Sequence, residues 1–151
     1  MTKTHKIAFI KARWHAEIVD QALIGFQQEQ ALRNERWQID TFDVPGAFEM
    51  PLLAKTLALS KGYDAVVVAA LVVDGGIYRH DFVAQAVVSG LMQAQLETGV
   101  PMFSVSLTPH HFQPTEDHAA FFSEHFIKKG AEAAEAVAQV LELDLKVKQA
   151  A

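Results

Sequence analysis

The stretch AVVVAALVVDGGIYRHDFV, residues 65–83, decides the fold of this chain. Its first nine residues are apolar and rich in valine, which is typical of a strand covered on both faces, as in a parallel sheet. A glycine pair and a helical pattern follow, and a helix that starts after a glycine turn presents backbone N–H groups to an anion. Arg79 lies where such an anion would arrive. The stretch therefore predicts a buried strand that ends at an anion-binding site.

Strand and helix patterns alternate four times along the chain. We expect strands near 6–11, 37–44, 65–73 and 101–108, helices near 15–32, 48–61 and 79–97, and two final helical segments, 117–128 and 130–143, separated at Gly130. This alternation is typical of an α/β fold with a four-stranded parallel sheet flanked by helices on both faces. Because no linker or repeat interrupts it, we expect one domain over residues 1–151.

The hydrophobic content, net charge and cysteine count limit which kind of protein this is and which partners it can bind. Half of the 151 residues are hydrophobic, which fits a globular domain. A net charge of −5 argues against nucleic acid as the main partner, and the absence of cysteine excludes disulfides and thiolate metal sites. The apolar run at Ile7–Ile10 is too short for a signal peptide, and the run at residues 65–73 is less than half of the roughly 20 residues that span a bilayer. We expect a cytoplasmic protein without a membrane segment.

Ligands of open parallel sheets bind beyond the carboxyl ends of the strands, and the unusual residues of this chain lie there. Trp14 follows the first strand and offers a flat face for a heteroaromatic ring, although by itself packing or an interface is the more common reason for a tryptophan at a rim. The turn VPGAFE, residues 44–49, brings the backbone of Ala47 and Phe48 close to a ligand. Glu49 fits a ligand contact or simply a favourable interaction with the helix dipole.

The charged residues after the third strand allow two interpretations. Arg79 either forms a surface ion pair with Asp74 or Asp81, or it binds a phosphate while His80 transfers protons near neutral pH. The glycine pair favours the second interpretation, but its spacing fits neither a Walker nor a dinucleotide-binding motif.

Seven histidines raise the question of a metal site. His110 and His111 are adjacent, and His118 and His125 share one face of a predicted helix. Because the sequence has no HExxH motif and no close pair at helical spacing, we expect no metal. Loop and surface histidines near a phosphate or a partner are the favoured interpretation.

Together these motifs resemble the 6,7-dimethyl-8-ribityllumazine synthases, and the details resemble the second, rhizobial–brucella type. The resemblance covers nearly the whole chain. It is carried by the aromatic Trp14 after strand one and by VPGAFEMP (44–51), ALVVDGGIYRHDFVA (70–84), ETGVPMFSVSLTPHHF (97–112) and KKGAEAAEAV (128–137).

The resemblance implies a flavodoxin-like three-layer sandwich and a transferase of riboflavin biosynthesis. Such an enzyme condenses 5-amino-6-(D-ribitylamino)uracil with 3,4-dihydroxy-2-butanone 4-phosphate, without cofactor or metal, at sites between subunits of a homopentamer. The second type resembles the decameric members. The resemblance also implies substrate-binding residues. These are Trp14 for stacking on the pyrimidine, Ala47, Phe48 and Glu49 with Leu71, Val72 and Val73 for the uracil and ribityl chain, and Gly76 and Ile77 for the phosphate.

The chain departs from the family pattern at four places. The position of the usual proton-carrying histidine is Arg79, with His80 beside it, and the usual arginine after strand three is Asp74. The frequent aromatic of strand four is Ser104. The phosphate-binding arginine of the C-terminal half is missing, because arginines stand only at positions 13, 33, 36 and 79, and its place falls on His118 or Phe121.

We therefore expect Arg79, with His118 or a lysine at Lys128–Lys129, to hold the phosphate, and His80 or Arg79 to transfer protons. Arginine stays charged at ordinary pH, which favours an electrostatic role for Arg79. Two alternatives remain at this level: a weakly active or inactive pentameric homologue that binds ligands, and a flavodoxin-like FMN carrier.

Overall fold

The structure is a computed structural model that describes residues 4–60, 62–73, 79–109 and 115–150. Its strands are β1 (His5–Ala12), β2 (Trp37–Val44), β3 (Ala65–Leu71) and β4 (Met102–Leu107). Its helices are α1 (Ala16–Leu32), α2 (Met50–Leu59), α3 (His80–Thr98) and α4 (Glu116–Ala150). The strands are all parallel in the order β2-β1-β3-β4. The predicted α/β three-layer fold is confirmed.

The central strand β3 explains the long apolar run of the sequence, because helices cover it on both faces. Val67 and Ala69 belong to the core under α1 and α4, whereas Val66 and Val68 belong to the core under α2 and α3. All residues of β3 are buried. A polar side chain in this strand would lie in one of two apolar cores and lose its water, which accounts for the absence of alternation.

The predicted break at Gly130 is wrong, since α4 continues through it. A Cβ atom on Gly130 would overlap the carbonyl of Ala22, and one on Gly25 would overlap the carbonyl of Ile127. The two glycines therefore let α1 and α4 touch backbone to backbone. A glycine inside a helix costs only about 1 kcal/mol relative to alanine, which this close packing offsets.

The outer surface of α3 carries large apolar side chains. Phe82, Val88, Met92 and Leu96 are 64%, 53%, 51% and 77% exposed, and the last three follow one another at four-residue spacing. Val88, Met92 and Leu96 therefore form an apolar strip on one face of the helix. Within the described ranges, no helix is both long and apolar enough to cross a bilayer.

Candidate active site

Trp14 lies at the carboxyl end of β1, where the chain leaves the sheet. The N–H of Arg13 donates to the carbonyl of Val44 at 3.0 Å, so that the pairing of β1 with β2 continues one residue past the strand. His15 then adopts the left-handed conformation, with φ 53° and ψ 51°, and its carbonyl accepts the N–H of Ile18 at 3.0 Å to start α1. This sharp turn leaves the indole of Trp14 at the rim of the sheet, 40% exposed.

The carboxyl end of β2 continues into a 3₁₀ turn at Ala47–Glu49, directly before α2. The N–H of Gly46 donates to Oε1 of Glu49 at 2.9 Å, and the N–H of Glu49 donates to the carbonyl of Gly46 at 3.3 Å. The side chains of Ala47 and Met50 are fully buried, whereas Phe48 is 43% exposed. The turn is thus fixed from below and presents Phe48 and the backbone to a ligand.

The carboxyl end of β3 is almost entirely enclosed. Leu71 and Val72 are each 1% exposed, with Leu71 in the core under α1 and α4 and Val72 in the core under α2 and α3. The N–H of Val72 donates to the carbonyl of Leu107 at 2.8 Å, and Val73 is partly buried. In the single chain, Leu71 and Val72 therefore offer a ligand almost no surface, backbone included, and Val73 is the more accessible residue at this edge.

Arg79 and His80 lie at the start of α3. Arg79 has extended dihedrals, with φ −79° and ψ 138°, and His80 is the first helical residue. The guanidinium of Arg79 forms the ion pair with Asp81 that the sequence left open, with Nη2 3.1 Å from Oδ2, and it lies 4.8 Å from the centre of the Phe82 ring. Because 70% of the Arg79 side chain is exposed, water screens this pair, and the cation can still attract an anion.

Ser104 lies apart from these residues in a single chain. It pairs with Val68 in the middle of β4, which is an edge strand, and it lines an open groove of about 460 Å³ between β4 and α4. Lys129 lines the same groove and forms an ion pair with Glu132 at 3.0 Å. Because its register partner Val68 belongs to the core under α2 and α3, Ser104 projects toward α3, where it also lines a smaller groove of about 90 Å³. Ser104 and Lys129 therefore border β4 from opposite faces of the sheet.

His118 lies in the first turn of α4, with its ring 6.2 Å from that of Phe122. As in every strand–helix unit of this sheet, the helix begins near the carboxyl ends of the strands. Lys129 stands about 16 Å further along α4, at 1.5 Å per residue. Of the two predicted partners for Arg79 in α4, His118 is consequently the one at the carboxyl edge.

An ion-pair network at the ends of β1 and β2 was missed by the sequence interpretation. Arg13 donates two hydrogen bonds to Asp20 of α1, at 2.8 and 3.0 Å, and Lys11 donates a third at 3.1 Å. Asp43 lies 3.5 Å from Arg13 and 3.6 Å from Lys11. The hydrogen bonds from Arg13 hold the pKa of Asp20 below its ordinary value. The alternation of Lys11 and Arg13 along one strand face was the available signal.

Aromatic, cationic and backbone groups thus converge at one edge of the sheet. Phe48 and Trp14 suit a heteroaromatic ring, and Arg79 suits an anion. Gly76 and Ile77, like Asp74 and His110–His111, lie outside the described residues. Within residues 4–60, 62–73, 79–109 and 115–150, no cluster of three or more histidine or acidic side chains could hold a metal ion.

Comparison with known proteins identifies a family whose model spans most of the chain. The family model described as 6,7-dimethyl-8-ribityllumazine synthase matches residues 4–144. The 6,7-dimethyl-8-ribityllumazine synthase of Rhodococcus erythropolis is 59% identical over 133 residues, which cover 87% of this chain and 86% of the relative.

Two relatives are named 6,7-dimethyl-8-ribityllumazine synthase 2. The protein of Pseudomonas syringae pv. tomato is 57% identical over 93% of this chain and 85% of its own length. The protein of Bradyrhizobium diazoefficiens is 50% identical over 92% of this chain and 84% of its own length. These matches confirm the resemblance inferred from the motifs, including its second type.

Proposed function

Because this chain belongs to the 6,7-dimethyl-8-ribityllumazine synthase family, we propose that it condenses 5-amino-6-(D-ribitylamino)uracil with 3,4-dihydroxy-2-butanone 4-phosphate. The observation that carries the proposal is the meeting of three elements at the ends of the neighbouring strands β2, β1 and β3. These elements are the turn at residues 45–49, the rim residue Trp14 and the start of α3.

The uracil substrate binds at the ends of β1 and β2. The exposed face of Trp14 stacks on the pyrimidine, and the other face rests against Gly46. Phe48 and Glu49 are exposed at the same turn and contact the ring and the ribityl chain. Ala47 is fully buried and supports the turn from below the ligand.

The end of β3 closes the pocket from below. Leu71 and Val72 are each only 1% exposed and form the buried layer beneath the ligand, and Val73 adds an apolar contact. Gly76 and Ile77, which precede α3 in the sequence, bind the phosphate. The glycine lets the backbone approach an anion closely, and the following helix start favours negative charge.

Arg79 supplies positive charge to the phosphate, and His118 supports it from the start of α4. Asp81 competes with the phosphate for Arg79, but the exposed ion pair is weak, and a phosphate offers more acceptor oxygens and more charge. His118 is favoured over Lys129, because His118 lies at the start of α4 and Lys129 stands about 16 Å further along the helix.

His80 is the proton carrier in this proposal. Joining an amine to a ketone carbonyl, with loss of water and of phosphate, requires protons to be moved near neutral pH. An imidazole is suited to this transfer, whereas a guanidinium is a poor general acid. No cofactor is needed, since both reaction partners carry the required functional groups and the site contributes proximity and charge.

The site is proposed to be completed by a second subunit, in a homopentamer that pairs into a decamer in the cytoplasm. The apolar strip on α3, with Met92 51% exposed and Leu96 77% exposed, is of the kind that subunit contacts cover. Ser104 is exposed on the edge strand β4, from which it contacts substrate bound on a neighbouring copy.

Steady-state kinetics of lumazine formation test these roles. For Arg79→Ala we expect the KM for the butanone phosphate to rise by about tenfold with a smaller change in kcat, because a charge contact to the phosphate is lost. For His80→Ala we expect kcat to fall by about 100-fold, since general acid–base catalysis typically contributes that much. A fall in kcat confined to Arg79→Ala would contradict the assignment. If the wild-type protein forms lumazine only at the spontaneous rate, the proposed activity is wrong and the alternative, an inactive homologue that binds ligands, is favoured.

A further inference from the structure

Gly46 lies directly against the indole ring of Trp14. A Cβ atom on Gly46 would overlap Cζ2 and Cε2 of the indole and would lie 2.9 Å from Cη2. Real Cβ atoms essentially never come within 3.0 Å of another heavy atom in this way. The benzene half of the indole therefore fills the space in which a side chain of residue 46 would stand.

The backbone conformation does not explain the glycine. Gly46 has φ −150° and ψ −177°, which is extended backbone that every amino acid adopts. The requirement for glycine at this turn is accordingly one of space, and the group that occupies this space is the protein's own Trp14. The sequence interpretation had instead related the small residues of this turn to the approach of a ligand.

The floor under the indole is rigid, whereas the indole itself is not enclosed. Gly46 is tied to Glu49 by two hydrogen bonds, at 2.9 and 3.3 Å, and the following Ala47 is fully buried. Trp14 is 40% exposed, so its other side has room to move. A methyl group added at residue 46 would consequently displace the ring rather than the turn.

We propose that Gly46 is a positioning residue that sets the depth and tilt of the Trp14 ring, and through it the affinity for the pyrimidine substrate. The inference rests on the proposed function, in which the pyrimidine stacks on Trp14. Stacking depends on the distance and offset of the two rings, so a ring pushed outward from residue 46 meets the pyrimidine in a poorer geometry.

Fluorescence tests the structural half of the proposal without any substrate. The chain has two tryptophans, so Trp37→Phe leaves Trp14 as the sole emitter. In that background, we expect Gly46→Ala to shift the emission and to raise acrylamide quenching clearly. Gly62→Ala is the matched control, because a Cβ there meets Lys6 and Ser60 only at 3.8 Å. Emission and quenching as in the control would overturn the proposal.

A double-mutant cycle tests the functional half. In the Trp14 background, we expect Gly46→Ala to raise the KM for the aminouracil by about fivefold to tenfold, with the KM for the butanone phosphate unchanged. In a Trp14→Ala background, where the methyl fits, the same substitution should change neither KM. Equal effects in both backgrounds would overturn the positioning role, because Gly46 would then act through the backbone.

The two arms separate failure of this inference from failure of the proposed function. If Trp14→Ala leaves the KM for the aminouracil unchanged, the stacking role is wrong and the functional half of this proposal falls with it. The fluorescence arm still decides whether Gly46 positions the ring. An altered emission together with a non-additive cycle supports the proposal in full.

Discussion

The close packing of α1 on α4 yields a sharp prediction for Gly130→Ala. A Cβ at residue 130 overlaps the backbone carbonyl of Ala22, which is held within α1 and cannot rotate away. Alanine improves intrinsic helix propensity by about 1 kcal/mol, while overpacking against a rigid partner costs about 1–3 kcal/mol and more where backbone must shift. We expect the overlap to win, with a net loss of about 1–2 kcal/mol in the free energy of unfolding.

Gly90→Ala in α3 is the matched comparison. Its Cβ would lie 2.9 and 3.0 Å from the ring carbons of Pro51, a side chain at the start of α2 that a small shift relieves. The gain in helix propensity should then roughly cancel the cost. Both variants are glycines within helices, so that the difference between them isolates the nature of the neighbour.

Urea unfolding at one fixed protein concentration measures both variants, since assembly makes stability depend on concentration. A loss of 1–2 kcal/mol corresponds to a Tm lower by about 2–8 °C for a chain of this size. If Gly130→Ala is as stable as wild type, or more stable, the two helices do not touch through their backbones and the explanation of the continuous α4 is wrong.

Three further predictions concern charges. Arg13 lowers the pKa of Asp20, so this carboxylate stabilises the fold above its unfolded pKa of about 4 and loses that contribution as the pH falls. Asp20→Asn should therefore cost about 1 kcal/mol in the free energy of unfolding at neutral pH, and this free energy should fall less steeply with pH on the acid side than in the wild type. The same pH dependence in both proteins would contradict this. Burial and the hydrogen bond to Asp40 raise the pKa of Tyr63 to about 12. The contribution of this tyrosine to stability is therefore present below pH 10 and is lost between about pH 10 and 12. Ultraviolet titration should show a tyrosinate step that approaches pH 12 and that Tyr63→Phe removes. His118→Ala should raise the KM for the butanone phosphate by about tenfold, whereas the exposed control Lys146→Ala should not; an effect of Lys129→Ala alone would move this role to the β4 groove.

The sheet could be predicted because its signals are local. The apolar run at residues 65–73 and the alternation of strand and helix patterns depend on each segment by itself. The break expected at Gly130 was wrong for the opposite reason: the glycine serves a contact with Ala22, more than a hundred positions earlier in the chain. Because glycine has a low helix propensity, the sequence predicts a helix end at such a residue. Only the tertiary packing shows why the residue lies inside a helix.

The candidate site divides in the same way. Trp14, Phe48 and Arg79 could be selected from the sequence, since strand ends are readable and unusual residues gather there. The contact between Trp14 and Gly46 could not, because it joins two strand ends whose spacing follows from the sheet order. Local patterns carry no information about which strands are neighbours.

The rate of 6,7-dimethyl-8-ribityllumazine formation tests the proposed activity most directly. The purified chain is mixed with 5-amino-6-(D-ribitylamino)uracil and 3,4-dihydroxy-2-butanone 4-phosphate, and the product is followed by its absorbance against the same mixture without protein. We expect a rate above the spontaneous one that saturates with each substrate and falls in Trp14→Ala through the KM for the aminouracil. A rate equal to that of the protein-free mixture, from folded protein, would contradict the assignment of this edge of the sheet as the active site.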